Sequence, residues 1–320
     1  MTTRATLLDI AKANGSDAVV GLIDETTKAH PELSLGAART INGLNYKTLV
    51  RTGLFTGSTF RDANQGVTAG KSTFENRLVE TFIMEPRFEV DKAVADAYED
   101  GAPAFLAMEA AGVMEKAMID LSAQFYYGRN PTFGNASGFP GLIDAYDPLN
   151  NVVDAGGTTA NTGSSVWLVK FGPQDVQWVW GQGGELALGD PRIQDLYDAY
   201  NKPFTGYVQT LLARPGLQVG SYRGLVRIKK LTEDNGKGLT DALIAAALAK
   251  FQVGAKPDMI LMNRRSLSQL QASRSLSVTI FAGPTTPGGG IGAVAALPDS
   301  AFGIPIQVTD AIANDEPLTL

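Results

Sequence analysis

A chain of 320 residues, 44% hydrophobic and 19% charged, can bury a substantial core, as two packed lobes or as one domain with long excursions. The absence of cysteine excludes disulfides and thiolate metal sites, and a single histidine, His30, leaves zinc centres and imidazole-based catalysis almost no material. A net charge of −6 and a pI near 5.0 exclude a global basic surface for gripping nucleic acid.

The expected product is cytosolic or assembles from the cytosol. Asp9 interrupts the first apolar stretch and no small-residue cleavage site succeeds it, so no signal peptide is expected. The longest apolar run, Ala242 to Ala249, falls far short of the ~20 residues that cross a bilayer. In chain order, residues 2–14 read as a short helix capped by Thr2 or Thr3 and stopped by Gly15. A second short helix is expected from Ser16-Asp17 to a point before Pro31, after which the chain loosens through Leu35-Gly36-Ala37. Tyr46 to Thr52 is strand-like, and Phe74 to Val90 reads as a second strand. In the latter, Phe74, Leu78, Phe82, Met84, Phe88 and Val90 alternate with the charged Glu75, Arg77, Glu85, Arg87 and Glu89, which leaves one face to bury. The polar stretch from Thr56 to Lys71 forms the tip of this hairpin. Arms of about a dozen residues at ~3.3 Å each would project some 40 Å. A two-stranded ribbon of that length is marginal alone in water, so its apolar stripe needs a neighbour, most simply a neighbouring subunit.

Residues 102–127 predict a long helix, with Pro103 in its first turn, Phe105, Met108, Val113, Ala117, Leu121 and Phe125 at spacings of three and four, and Gly128 as its stop. From Asn130 to Gly163 the chain is loop-rich, with Gly138-Phe139-Pro140-Gly141-Leu142 as its apolar anchor. A β block comes next: Val166 to Phe171 and Val176 to Trp180 flank the turn Gly172-Pro173-Gln174-Asp175, and Phe204 to Leu212 and Leu225 to Lys230 continue it. All three tryptophans fall here, where core and interface packing is the expected role. Residues 239–252 read as a helix capped by Thr240 or Asp241. The buried-looking strand Met259 to Met262 leads through Asn263-Arg264-Arg265 into a short helix ending near Ala272, and Ile304 to Val308 is a last strand. The fold class is α+β.

Motifs that could carry chemistry fail on spacing or context. Gly66-Val67-Thr68-Ala69-Gly70-Lys71-Ser72 resembles a phosphate-binding P-loop, but three residues separate its glycines where four are required, and the residues from Phe74 onward alternate as a strand. Gly288-Gly289-Gly290-Ile291-Gly292 comes after Pro287 rather than a strand, so no dinucleotide-binding unit can be built around it. Asp144, Asp147, Asp190, Asp195 and Asp198 show no pairing and read as solvated surface. Asn263-Arg264-Arg265 could meet phosphate, although an inter-subunit ion pair or a helix-start contact is the commoner use. No catalytic residue, cofactor or metal is expected. Arg51, Arg61, Lys71 and Arg77 beside Asp62, Glu75, Glu80 and Glu85 put both signs on the ribbon, which suits register-setting contacts between identical neighbours. The candidate assembly contacts are Phe60, Arg61, Asp62, Lys71, Phe74, Glu75 and Arg77.

The order of these parts carries a resemblance: a short helical arm, a hairpin tipped by Phe60-Arg61-Asp62-Ala63-Asn64-Gln65-Gly66, a spine helix ending in Phe125-Tyr126-Tyr127-Gly128, then helix, strand and Asn263-Arg264-Arg265. It resembles the major capsid proteins of tailed double-stranded DNA bacteriophages with the Hong Kong 97-type fold, most of all a short-tailed phage (podovirus) branch. The segments Tyr46 to Leu54, Asn76 to Thr81 and Val166 to Gly172 are similar to that branch. The likeness spans nearly the whole chain through diffuse motifs. It implies an N-terminal arm at 1–40, an extended loop at 41–90, the spine helix and start of a peripheral domain at 91–165, peripheral-domain strands at 166–235 and an axial domain at 236–320. In this order the peripheral strands precede the axial helix-strand unit, a permuted version of the usual topology. It further implies a structural protein without enzymatic activity, assembled as hexamers and pentamers into an icosahedral shell around double-stranded DNA. A separate scaffolding protein, a portal and a decoration or cement protein would be its partners, with no sequence-specific DNA binding and no membrane. Some relatives weld neighbours through a Lys–Asn isopeptide bond. Lys71 lies where such a lysine could sit, but no motif supports it. An encapsulin-like compartment shell, which shares the fold, and a P-loop-type nucleotide enzyme are the alternatives.

Overall fold

The computed structural model describes residues 4–14, 24–57, 59–145, 151–182, 186–281 and 296–320. Helix α1, Leu7–Ala13, is shorter than the sequence predicts and starts at a capping box in which Thr6 and Asp9 satisfy each other. Helix α2, Pro31–Leu35, begins at the proline expected to lie beyond a helix, because a missing N–H is harmless in a first turn; the helix start expected at Ser16-Asp17 lies outside the described residues. The chain leaves the helix irregularly through Gly36 and Ala37, as expected. Ala38–Thr40 forms β1, and Asn45–Gly53 and Thr73–Glu80 form the ribbon strands β2 and β3. The expected second strand is broken: Arg87–Asp91 is a separate strand, β4, because Phe82 N–H and Met84 N–H donate to the carbonyls of Pro215 and Ala213.

A short helix α3, Lys92–Ala95, precedes the spine helix α4, which spans Ala102–Tyr127 with Pro103 in its first turn. Gly128 ends it at φ +50°, a region that disfavours any β-carbon, and one placed there would also collide with the Asp144 carboxylate and the Gly141 backbone. Helix α5, Leu142–Ala145, and strand β5, Val152–Asp154, punctuate the loop-rich stretch. Strands β6, Ser164–Val169, and β7, Val176–Trp180, flank the expected turn but separate into different sheets beyond one bridge, Phe171 to Val176. Next come β8, Ala187–Leu188; β9, Arg192–Tyr197; β10, Pro203–Leu212; β11, Pro215–Val219; and β12, Leu225–Leu231. Helix α6, Asp241–Leu248, is capped by the Thr240 side chain, and β13, Met259–Met262, runs into α7, Arg264–Phe281, which continues well past Ala272. Strands β14, Ser300–Ala301, and β15, Ile304–Val308, complete the chain.

Besides the ribbon there are three sheets among the described residues. They are a three-stranded β1-β7-β11, a four-stranded unit in which β4, β9 and β8 all pair with β10, and a six-stranded β14-β15-β13-β6-β12-β5. The last draws strands from both sides of residue 235, and its β13–β15 and β12–β5 pairs are parallel. Its faces explain the sequence: every residue of β6 and β13 is buried, which is why neither alternates. Val166, Leu168, Val226, Ile260 and Ile304 pack against Ile244 of α6 and Leu270 of α7. The opposite face meets the C-terminal end of α4, where Trp178 lies against Phe125 and Phe139 with ring centroids 5.2 and 5.8 Å away.

Two adjacent tyrosines at the end of α4 each hold a buried glutamate from a distant segment. Tyr126 donates its hydroxyl to Glu32 (3.2 Å) and Tyr127 to Glu316 (2.6 Å). Burial raises the pKa of Glu32, with Thr309 and His30 among the groups pulling it back. The folded chain therefore keeps this proton at a pH where the unfolded chain, with a value near 4.5, has released it. Its contribution to stability is largest below that value, falls as pH rises toward the raised folded value, and is flat above. Glu32→Gln keeps the shape and removes this fall. Urea midpoints of the unassembled chain from pH 4 to 8 should show a smaller decline for the variant, and parallel profiles would refute the assignment.

Candidate assembly interface

Antiparallel pairing puts directly opposed residues on one face of the ribbon. Tyr46 opposite Val79, Thr48 opposite Arg77 and Val50 opposite Glu75 form one face; Lys47 opposite Leu78, Leu49 opposite Asn76 and Arg51 opposite Phe74 form the other. The first face is anchored at its root. Val79 is buried with Ile41 and Val179 beside Tyr46, whose hydroxyl donates to Gln218 Oε1. Arg77 donates to Gly220 O at 2.7 Å and stacks its guanidinium 3.7 Å above the Tyr222 ring.

Among the described residues the other face is only partly covered: Leu49 and Phe74 border an open cleft against the body, and Phe74 lies under the Arg51 guanidinium. Leu49 is 69% exposed, Phe74 54% and Leu78 51%. Covering what remains exposed of such side chains contributes about 1–2 kcal/mol each, against about 0–1 kcal/mol for an exposed ion pair, so this stripe outweighs the ribbon's charges. Beyond Gly53 the chain runs to Lys71 without a regular element, exposing Leu54, Phe55, Phe60 and Val67. The glycine-rich run Gly66 to Ser72 leads directly into β3 and not into a helix, so it lacks the strand–loop–helix frame of a phosphate cradle.

The ribbon brings six of the seven expected contact residues to exposed positions. Phe60 is fully exposed, Arg61 donates to Gln65 O across the tip turn (2.9 Å), Asp62, Lys71 and Glu75 are exposed, and Phe74 lies under the Arg51 guanidinium. The seventh, Arg77, is occupied by its own body. Leu49, Leu54 and Phe55 escaped the contact set, although the alternation of β2 already places Leu49 on the face of Leu78.

Other residues singled out by the sequence serve the fold. His30 lies half-buried with Nε2 3.7 Å from the Glu115 carboxylate and accepts no hydroxyl hydrogen bond among the described residues. Asn263 caps α7 by accepting from Ser266 N–H (2.9 Å), and Arg265 donates to the carbonyls of Thr162 (2.7 Å) and Asn314 (3.0 Å), the helix-start role. The Gly288 run and Asp147 fall outside the described residues. Among the described residues no helix is long and apolar enough to cross a membrane.

An α+β body carrying a long ribbon with one half-exposed apolar face suits a subunit that packs against further copies. The chain's fold matches the bacteriophage Epsilon15 structure with a TM-score of 0.73 at 22% identity, covering 99% of this chain and 98% of that one. Fainter likenesses are to the capsid of Myoviridae Phage XM1 (TM-score 0.47, 11% identity, 68% and 97% covered) and to the holo-SrpI encapsulin complex of Synechococcus elongatus (0.45, 10%, 70% and 94%). No curated protein matches the chain by sequence. The profile of the family described as Major capsid protein GP7 matches residues 17–319, and the chain belongs to that family. It is a phage major capsid protein with a Hong Kong 97-type fold, a structural component of the virion shell.

Proposed function

We propose that copies of this chain close into hexamers and pentamers, that these tile an icosahedral head around double-stranded DNA, and that the ribbon of each copy lies across a neighbour. The observation that carries this reading is the half-exposed stripe of Leu49, Phe74 and Leu78 on a ribbon whose opposite face is already anchored to its own body. In this proposal 1–40 is the arm, 41–90 the extended loop, 91–165 the spine and start of the peripheral domain, 166–235 its strands and 236–320 the axial domain, in permuted order. Phe60, Arg61, Asp62, Lys71 and Glu75 would contact the neighbour, while Arg77 sets the ribbon's angle. The chain carries out no catalysis itself. A separate scaffolding protein guides closure, a portal occupies one vertex, and a decoration or cement protein binds outside. A net charge of −6 keeps the wall from adhering to packaged DNA. Electron microscopy of the full chain co-expressed with the other head proteins should show closed icosahedral particles with six- and five-membered rings. Only compact monomers under those conditions would overturn the proposal.

A further inference from the structure

Resting on the reading that copies close into rings, we infer that a basic cleft beside the ribbon of one copy receives the acidic knuckle at the start of the spine helix of the next. Clefts of ≈ 780 and ≈ 850 Å³, sharing Arg51 and Arg223 in their walls, separate β2 from the body. Arg51, Arg77, Lys170, Arg223 and Lys250 line them against one carboxylate, Asp175, which already pairs with Lys170 at 2.9 Å. The other four cations have no carboxylate at ion-pair distance among the described residues, and the Arg77 Nε is buried without a hydrogen-bond partner. In a chain of net charge −6, such a concentration of unmatched positive charge calls for an anionic occupant.

The chain carries a complementary segment at its other end. The cleft lies by the C-terminal end of α4, since Phe171, next to Lys170, stacks on Phe125 at 6.3 Å. At the opposite end Asp96, Glu99 and Asp100 are exposed just before Ala102, Asp96 already pairing with Lys92 at 2.5 Å. A helix of 26 residues holds the two ends about 39 Å apart. The helix dipole accounts for carboxylates near Ala102, but not for the cleft that matches them. A rigid subunit with opposite charge at its two ends associates head to tail, and a head-to-tail contact closes into a ring when its rotation permits. Complementary charge also rejects wrong registers and speeds encounter.

The test uses the full chain co-expressed with the other head proteins. Arg223→Glu with Lys250→Glu should lower particle yield at least about tenfold, while the monomer's melting temperature stays unchanged. Adding Asp96→Lys and Asp100→Lys to the same chain should restore particles. Wild-type yield from the first variant, or no recovery in a folded four-site variant, would overturn the inference. Because the chain has no cysteine, a second readout is free of background. Particles of Arg223→Cys with Asp100→Cys, gently oxidised, should give a ladder of covalent multimers, whereas a lone monomer band would count against the pairing. Wild-type particles in the same preparation separate the two failures: no rings at all sinks the ring proposal, while normal rings indifferent to the cleft sink this inference alone.

Discussion

Glu316→Ala is expected to destabilise the unassembled chain by about 3–5 kcal/mol, as much as emptying a core aromatic position. Glu316 and Arg227 are both almost fully buried and pair at 3.0 Å. The same carboxylate accepts the hydroxyls of Tyr127 (2.6 Å) and Ser165 (2.5 Å), and Arg227 Nε donates to Ser165 at 2.9 Å. Truncation strips the carboxylate from a guanidinium locked in the core and orphans two hydroxyls, and each orphan costs about 1–3 kcal/mol. Replacing both charges has a different outcome, because a buried pair exchanged for apolar groups of similar volume is often neutral. Arg227→Met with Glu316→Leu should therefore recover most of the loss in urea titrations. A double variant as unstable as Glu316→Ala would show that the hydroxyl network, and not the stranded charge, dominates.

Leu49→Asp with Leu78→Asp should abolish assembly while leaving the monomer within about 0.5 kcal/mol of wild type, since both side chains already face solvent in the isolated subunit. In a contact they would be desolvated, and two carboxylates on the stripe replace about 2–4 kcal/mol of apolar burial with charge that must be stripped of water. Sedimentation of lysates and thermal melting of the soluble fraction measure both halves. Particles at wild-type yield would show that the stripe is not a contact.

Much of this fold is legible in the sequence wherever a local rule and the tertiary environment agree. Pro103 and Gly128 mark the ends of α4, and the bounds of β7 and β15 arise from short apolar runs set between turn residues. The failures are equally physical. β11 begins at Pro215, a residue that reads as a breaker, and β9 is so exposed that its composition looks like loop. The stretch from Phe74 to Val90 keeps its alternation across a break, because what interrupts it is pairing with Ala213 and Pro215, more than a hundred residues away. At the site, alternation identified the stripe, but the sequence could not say which face of the ribbon its own body already holds. Nor could it place Glu32 against Tyr126 or Glu316 against Arg227, since separations of 94 and 89 residues leave no periodic trace. Resemblance to a family supplied the order of parts, and close contacts supplied the rest.

The ribbon's root is small: Ile41, Val79 and Val179 with Tyr46, bounded by Gln218 and the stacked Arg77 and Tyr222. None of these apolar residues belongs to the two large clusters that hold the body together. A lever seated on so slight a bearing is expected to re-aim at the cost of a few local contacts, fewer than any movement within the two large clusters would break. A closed container needs curvature at its corners and near-flat walls between them, and one gene product must supply both. The modest footing of this lever lets a single sequence meet that geometric demand without a second folded form.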